Sequence, residues 1–562
     1  MDRSRRPGRE RVLRTDTALS TRPDGQRRRA GRLARFWHGL SRPARWAALL
    51  AGALPVLAFP SLNLEFLGWI GLVPGLLVLT AAPTGREAAV RGWWLGTGYL
   101  LMAMYWLTPN LGPAVLLIAI VLGLPWAAVG LAAWYLLRSR RPAEPGTEPT
   151  EPADPTSPTR PTGPTVRQAV AALVVLPSCW VVIDVIRSWQ GIGGPWAVFG
   201  ASQWQHPVVL ALAAVGGIWL VSFVLVAANT AIVIMLTAAS LAARAVGAAA
   251  ALLAIAAGPA AFALTSAEYA APAAGHLTVA LVQPGLESNP RRTVAQGVRL
   301  TARTPRTDLV VWGESSVGFD LRTSPRLLAE LKRLSAAIRT PLLVSQDALD
   351  PAGAKSKVAV LVGADGIEQT YTKARLVPFG EYIPFRSALG WLSSISRAAP
   401  QNMVAGTGAR VLHSVLADGR RLNFGVLICF ESSFPDMSRF DTDHGAQVLI
   451  YQTSDSTFQG SWAPAQHASL AALRAAETGR PAVQAALTGD SAAFDARGRE
   501  LAWAGTHYRG VLRVTLALPS DAVRTPFDRL GDYVPWFAVA VVAIAVGYAI
   551  YATGLFRRFA RA

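Results

Sequence analysis

The sequence predicts a multi-pass α-helical membrane bundle of about eight spans plus an α/β domain, on two observations. Apolar runs long enough to cross a bilayer recur through the first half and once near the end. Between the last two of them, over residues 270–520, the apolar runs shorten to strand length and alternate with amphipathic helical patterns. Composition agrees: 52% of the 562 residues are hydrophobic and the mean hydropathy is +0.31, which soluble chains of this length rarely reach.

The expected spans are 45–62, 65–82, 91–108, 113–137, 168–187, 207–236, 246–264 and 534–555, the first seven forming a bundle over 45–264. Arginine sets their orientation, because Lys and Arg accumulate on the cytoplasmic side. Residues 1–44 are Arg-rich, with "RRR" at 27–29, and the loop 83–91 carries Arg86 and Arg91. Arg138, Arg140, Arg141, Arg160 and Arg167 follow the fourth span, and Arg557, Arg558 and Arg561 lie in the basic tail 556–562. The alternate loops 61–64 and 109–113 have none, and 187–206 has only Arg187. Both termini are therefore expected in the cytoplasm of a bacterium, with 270–520 on the outer side of its inner membrane. The formal charge of +19 is read as a topology signal, and no nucleic-acid partner is expected. Segment 141–165, "RPAEPGTEPTEPADPTSPTRPTGPT", has the composition of a disordered cytoplasmic linker.

Within 270–520 the strand-like runs are "HLTVALVQ", "DLVVWGE", "TPLLVSQD", "KVAVLVG", "LNFGVLICFE", "AQVLIYQTS", "RPAVQAAL" and "GVLRVTLAL". Helical patterns such as "SPRLLAELKRLSAAIR" and "APAQHASLAALRAAETG" lie between some of them. No internal repeat is evident.

Three side chains in this region have complementary chemistry. Glu314 ends "DLVVWGE", Lys373 lies in "YTKARLVPFGEY", and Cys429 ends "FGVLIC". A side chain at the end of a strand emerges at the rim of a sheet, where pockets form. A thiol attacks as thiolate and needs a base or a nearby cation. A carboxylate can take its proton, and an ammonium can hold an oxyanion. Each has a plainer reading: a solvated strand end, a surface lysine, a thiol that fills space. His467, in "PAQHASL", reads as a packing or hydrogen-bonding residue rather than a base. Cys179, inside the span 168–187, reads as structural. Two distant cysteines give neither a disulfide framework nor zinc spacing, and no cofactor is called for.

At these residues the chain resembles a family. "WGES", "YTKARLVPFGEYIPF" and "GVLICFESSFP" are similar to the Glu, Lys and Cys motifs of the nitrilase superfamily, and specifically of its membrane branch, the apolipoprotein N-acyltransferases. The order of spans agrees, as do "DVIRSWQGIGGPWAVFGASQ" at 184–203 and the helix-strand-hairpin beginning "HASLAALRAAETGRPAVQ". The resemblance implies an outer-side nitrilase-like α-β-β-α sandwich with Cys429 as nucleophile, Glu314 as general base and Lys373 as oxyanion stabiliser. It implies a supporting Glu381 and an oxyanion-hole N–H from Phe430. It also places Glu431 on a position that the family uses, and Tyr382 beside Glu381 on the substrate side. The implied partners are a phospholipid acyl donor, a diacylglyceryl-modified apolipoprotein acceptor and the bilayer, with a thioester formed between two half-reactions. The segment 385–400, "FRSALGWLSSISRAAP", is expected to be either a mobile flap at the headgroup region or an ordinary surface helix. The Trp-rich 188–205 is expected to be an interfacial anchor, a lipid entrance or plain packing.

The chain departs from the family pattern at "WGE" in place of W-P-E, at Phe430 in place of Tyr, at "TSDSTFQG" 453–460, at the missing Trp after "ALVQ", and at Asp184 in place of Glu. Two alternatives stand beside this reading: a membrane-tethered amidase or nitrilase, and a non-catalytic scaffold for a lipid-linked sugar enzyme.

Overall fold

The computed structural model describes residues 43–138, 163–269, 273–285, 287, 289–349, 353–395, 399, 401–520 and 523–552. Most of the Arg-rich head, the linker 141–165 up to residue 162, and the basic tail lie outside the described residues.

The first helices are α1 (Pro43–Ala53), α2 (Val73–Thr80), α3 (Gly85–Met104), α4 (Ala114–Leu122) and α5 (Trp126–Leu137). Four longer ones complete the bundle: α6 (Val166–Arg187), α7 (Pro207–Thr237), α8 (Leu241–Tyr269) and, after the α/β region, a helix over Tyr533–Ala552. Among the described residues, these four are long and apolar enough to cross a membrane. The pair α4 and α5, bent by 41°, gives a fifth if it is one span. The other three expected spans are shorter or charged. Span 45–62 is α1 followed by a 3-10 turn over Leu54–Ala58, where Pro55 removes a donor. Span 65–82 is a single turn and then α2, with Pro74 in its first turn. Span 91–108 is α3, which begins earlier, at Thr84. The Thr84 side chain caps the N–H of Glu87, and the first turns of α3 carry Arg86, Glu87 and Arg91.

Helix α7 is broken at Gly216 and Gly217. Gly217 has a left-handed φ of 70°, and a Cβ there would lie 2.7 Å from the Phe527 ring. The break frees the Ile218 N–H, which donates to Glu477 of the α/β region at 2.8 Å. A membrane helix is thereby capped by a side chain of the other layer.

Among the described residues, the α/β region holds twelve strands in two six-stranded sheets of order β12-β1-β2-β3-β4-β5 and β11-β10-β9-β8-β7-β6. In the first, β1 (Gly275–Gln283), β2 (Leu309–Trp312) and β3 (Leu342–Leu349) are parallel; β4 (Lys355–Val362), β5 (Ile367–Thr372) and β12 (Gly510–Leu518) pair antiparallel. In the second, β7 (Arg421–Ile428), β8 (Val448–Thr453) and β9 (Ala482–Ala486) are parallel, with β6 (Val411–Val415), β10 (Ser491–Phe494) and β11 (Glu500–Ala504) antiparallel. Alternation along β1 divides the layers. Ala280 and Val282 join a core with Val294 and Leu331 of the outer helices α9 (Pro290–Ala302) and α10 (Pro325–Ile338). Leu277, Val279 and Leu281 face the second sheet, in one core with Phe424, Val426 and Ile450. Helices α11 (Pro435–Asp443) and α12 (Ala463–Thr478) cover that sheet's other face, and α12 packs on α7. The result is the expected α-β-β-α sandwich, seated on the bundle through its second helical layer.

Candidate active site

The three expected side chains come from three strand ends and converge between the sheets. Glu314 follows β2, and its N–H donates to the Thr453 carbonyl at the end of β8 (3.0 Å), tying the sheets together. That approach explains "WGE": a Cβ at position 313 would lie 2.0 Å from the Leu487 nitrogen, so only glycine fits. Lys373 follows β5 and is fully buried. Its ammonium lies 2.7 Å from Glu381 Oε1 and 3.4 Å from Glu314 Oε1. The second Glu381 oxygen accepts the Val377 N–H at 2.8 Å, which fixes the carboxylate.

Cys429 follows β7 with a left-handed φ of 54°, at the first position of a 3-10 turn over Cys429–Ser433. For a non-glycine residue this conformation costs on the order of 1–3 kcal/mol and persists only where the surroundings hold it. Glu431 is the holder. It is fully buried, and Oε2 accepts the Ile428 N–H at 2.7 Å. Its Oε1 accepts from the Tyr371 hydroxyl at 2.8 Å and from the N–H groups of Ala374 and Arg375 at 2.7 and 2.9 Å. One carboxyl group thus ties the turn that presents Cys429 to the loop that presents Lys373.

Burial pushes the Cys429 thiol well above its ordinary value; the Glu314 carboxylate adds to this and the Lys373 ammonium opposes it. Burial works against the Lys373 charge, but the carboxylates of Glu314 and Glu381 outweigh it and raise its pKa. The resting pair is therefore a neutral thiol beside a firmly charged ammonium. The Glu314 carboxylate acts on both groups.

His467, read from the sequence as a hydrogen-bonding or packing residue, is a hydrogen-bonding one. Its Nε2 lies 3.1 Å from the Cys429 carbonyl oxygen, and its Nδ1 lies 2.9 Å from Asp455 Oδ1. Each nitrogen also contacts a hydroxyl at 3.1 Å, Nδ1 that of Thr453 and Nε2 that of Ser432, so the contacts suit a positive charge on the ring without requiring one. Burial opposes this charge, yet Asp455 lifts the His467 pKa above its ordinary value. Asp455 lies in the divergent "TSDSTFQG". No sequence signal singled out its pairing with His467, because helix α12 and the loop after β8 meet only in the fold. Phe430 packs edge-to-face on Phe434, with ring centroids 5.0 Å apart. Tyr382 points away from the cluster: its hydroxyl donates to the Gln190 carbonyl at 3.4 Å, in the loop after α6. Of the Trp-rich segment, Trp204 is buried against Trp503, Trp189 is half-exposed, and buried Trp196 lines the cavity at Cys429.

Cys429 opens on a narrow apolar cavity of about 120 Å³. The bundle side contributes Trp106, Leu111, Ile118, Leu122 and Trp196; the sandwich side contributes Phe430, Phe458 and His467. Among the described residues, no group of three or more His, Cys, Asp or Glu is arranged to hold a metal ion.

Comparison with known proteins joins these two halves. Residues 51–231 match the apolipoprotein N-acyltransferase N-terminal domain, and residues 278–521 match the carbon-nitrogen hydrolase family. An apolipoprotein N-acyltransferase of Geobacter metallireducens is 28% identical over 89% of this chain and 94% of its own length. One of Chlorobaculum tepidum is 26% identical over 90% of this chain and 96% of its own. Among solved structures, a carbon-nitrogen hydrolase from Helicobacter pylori is 17% identical, covering 43% of this chain and 89% of that one at a TM-score of 0.34. The relatives favour neither the amidase nor the scaffold alternative. This chain belongs to the apolipoprotein N-acyltransferase family, the membrane branch of the carbon-nitrogen hydrolases.

Proposed function

We propose that this protein moves an acyl chain from a phospholipid to the N-terminal amine of a diacylglyceryl-cysteine lipoprotein, through a thioester on Cys429. The apolar cavity carries this reading. It is walled jointly by bundle and sandwich and ends at the thiol, which suits an acyl chain arriving from a bilayer. A small polar amide has no use for such a wall.

In the first half-reaction the Cys429 sulfur attacks the ester carbonyl while Glu314 takes the thiol proton. The Lys373 ammonium and the Phe430 N–H hold the developing oxyanion. Glu381 keeps Lys373 charged and fixed. As the carbon–oxygen bond breaks, Glu314 returns the proton to the leaving lysophospholipid alkoxide. In the second half-reaction the lipoprotein amine attacks the thioester, Glu314 takes a proton from the nitrogen, and the cysteine sulfur leaves and is reprotonated. Product and free thiol result.

The arginine asymmetry supports eight spans in an inner membrane, α2, α3 and the α4–α5 pair being short or bent ones, with both termini in the cytoplasm. The catalytic domain, 270–520, then lies on the outer side. Phe385 and Trp391, 64% and 55% exposed, suit a flap at the headgroup level, residues 396–398 and 400 of the expected 385–400 lying outside the described residues.

The test is mass spectrometry of the full-length protein after incubation with phospholipid vesicles. An acyl adduct is expected on Cys429, absent from Cys429→Ala and discharged by a diacylated lipopeptide carrying a free amine. An adduct that survives Cys429→Ala, or one that water discharges as fast as the lipopeptide does, sinks the proposal.

A further inference from the structure

The chain has four lysines, and two of them approach the same carboxylate. Lys373 belongs to the site already described. Lys357 belongs to no motif. It lies in β4 directly opposite Asp347 of β3, and its ammonium is 2.7 Å from Asp347 Oδ1. The same ammonium donates to the Ser315 hydroxyl, which donates on to Asp347 at 3.0 Å. Ser315 is the residue after Glu314 and has a left-handed φ of 55°, a conformation that serine holds only under restraint. The Lys357 backbone carbonyl meanwhile accepts the Lys373 N–H at 2.9 Å. One residue therefore restrains the backbone on both sides of the Glu314–Lys373 contact.

Resting on the acyl-transfer reading above, we propose that Lys357 is a positioning residue for Glu314. Through Ser315 it fixes the turn that aims the base, and it places a second positive charge behind that base. The charge matters because the cluster is otherwise rich in carboxylates. Glu314 faces Lys373, Glu381 and Cys429, with the His467–Asp455 pair beyond the thiol, and Lys357 faces Asp347 and Lys373. Burial works against the Lys357 charge, but Glu314 and Asp347 outweigh it and raise its pKa. Asp347 and Ser315 complete the device by holding the Lys357 head in place.

The experiment measures the single-turnover rate of acyl-adduct formation on Cys429, with full-length protein in phospholipid vesicles. Lys357→Met is expected to slow acylation about tenfold, and Lys357→Arg, which can keep the contacts with Ser315 and Asp347, should restore most of the rate. A Lys357→Met rate equal to the parent's overturns the proposal. So does a loss that Lys357→Arg does not repair, which is what a merely structural role gives. Ser315→Ala keeps both charges and serves if Lys357→Met does not fold. It is expected to lower the rate about threefold, and an unchanged rate overturns the positioning role. Failure of the parent protein to form any adduct would instead sink the acyltransferase reading itself.

Discussion

Each of the two cysteines lies near a buried group of charges, and the two neighbourhoods behave differently. Cys179 lies in the regular helix α6, two turns before the buried pair Asp184 and Arg187. Cys429 lies at a left-handed turn beside Lys373, Glu314 and Glu381. In α6 the charges are consumed by structure. Arg187 binds Asp184 at 2.8 Å and donates to the Trp196 carbonyl at 2.8 Å, which pins the loop that walls the apolar cavity. At Cys429 the charges face the thiol, and the residue, held in a left-handed turn, lines the cavity. A thiol becomes a candidate nucleophile through the turn that presents it and the carboxylate that can receive its proton, and burial near charge does not suffice.

The sharpest way to break this contrast is to remove the base. Glu314→Gln keeps the shape and loses the proton acceptor, so acylation of Cys429 should fall on the order of 10²–10⁴-fold. Cys179→Ala should leave the rate within about twofold, since it removes one small buried group outside the Glu314, Lys373 and Cys429 cluster. Both are read from the first-order rate of adduct formation. A Glu314→Gln variant that acylates at the parent rate would mean that the thiol finds another base, and the His467–Asp455 pair would be the place to look.

Next in size is the structural pair. Arg187→Met leaves Asp184 buried without its partner, which should cost about 3–5 kcal/mol of stability. The combined change Asp184→Asn with Arg187→Met should recover much of that, because no lone charge remains. Thermal unfolding in detergent reads the difference. If the single and double variants melt together, the pair is more than a brace, and the two neighbourhoods are less distinct than their geometry says.

Legibility in the sequence followed how locally each feature is encoded. The central strands are continuous apolar runs buried on both faces, and β1, β2, β7 and β8 stand out for that reason. The four strands without a run of their own, β5 "IEQTYT", β6, β10 and β11, lie toward sheet edges, alternate with polar residues or are alanine-rich hairpins. In the bundle, continuous hydrophobicity hid the breaks, although Pro55, Gly71, Pro74 and the Gly216–Gly217 pair were in plain view. Glu314, Lys373 and Cys429 were readable because motifs surround them. Asp455 and Lys357 were not, since their partners are 12 and 42 residues away in the chain, and no short pattern records such a pairing. Glu431 was readable as a position but not as a clamp, because its four donors come from two separate strand ends, Tyr371, Ala374 and Arg375 at β5 and Ile428 at β7.

That clamp yields the mildest and most discriminating change. Tyr371→Phe removes one of the four donors to Glu431 and leaves a buried ring of nearly the same shape. The three N–H donors from Ile428, Ala374 and Arg375 remain, so the carboxyl group keeps its orientation and the turn at Cys429 keeps its hold. The expected loss is about 0.5–1.5 kcal/mol in unfolding, with acylation slowed by no more than a few-fold. Glu431→Gln is a harsher control, since it turns an amide N–H₂ toward groups that are themselves donors. If Tyr371→Phe matched Glu431→Gln in both stability and rate, the hydroxyl would be the sole tie that matters. The left-handed turn would then depend on one bond rather than four, and the line between a braced nucleophile and a merely buried thiol would run through Tyr371.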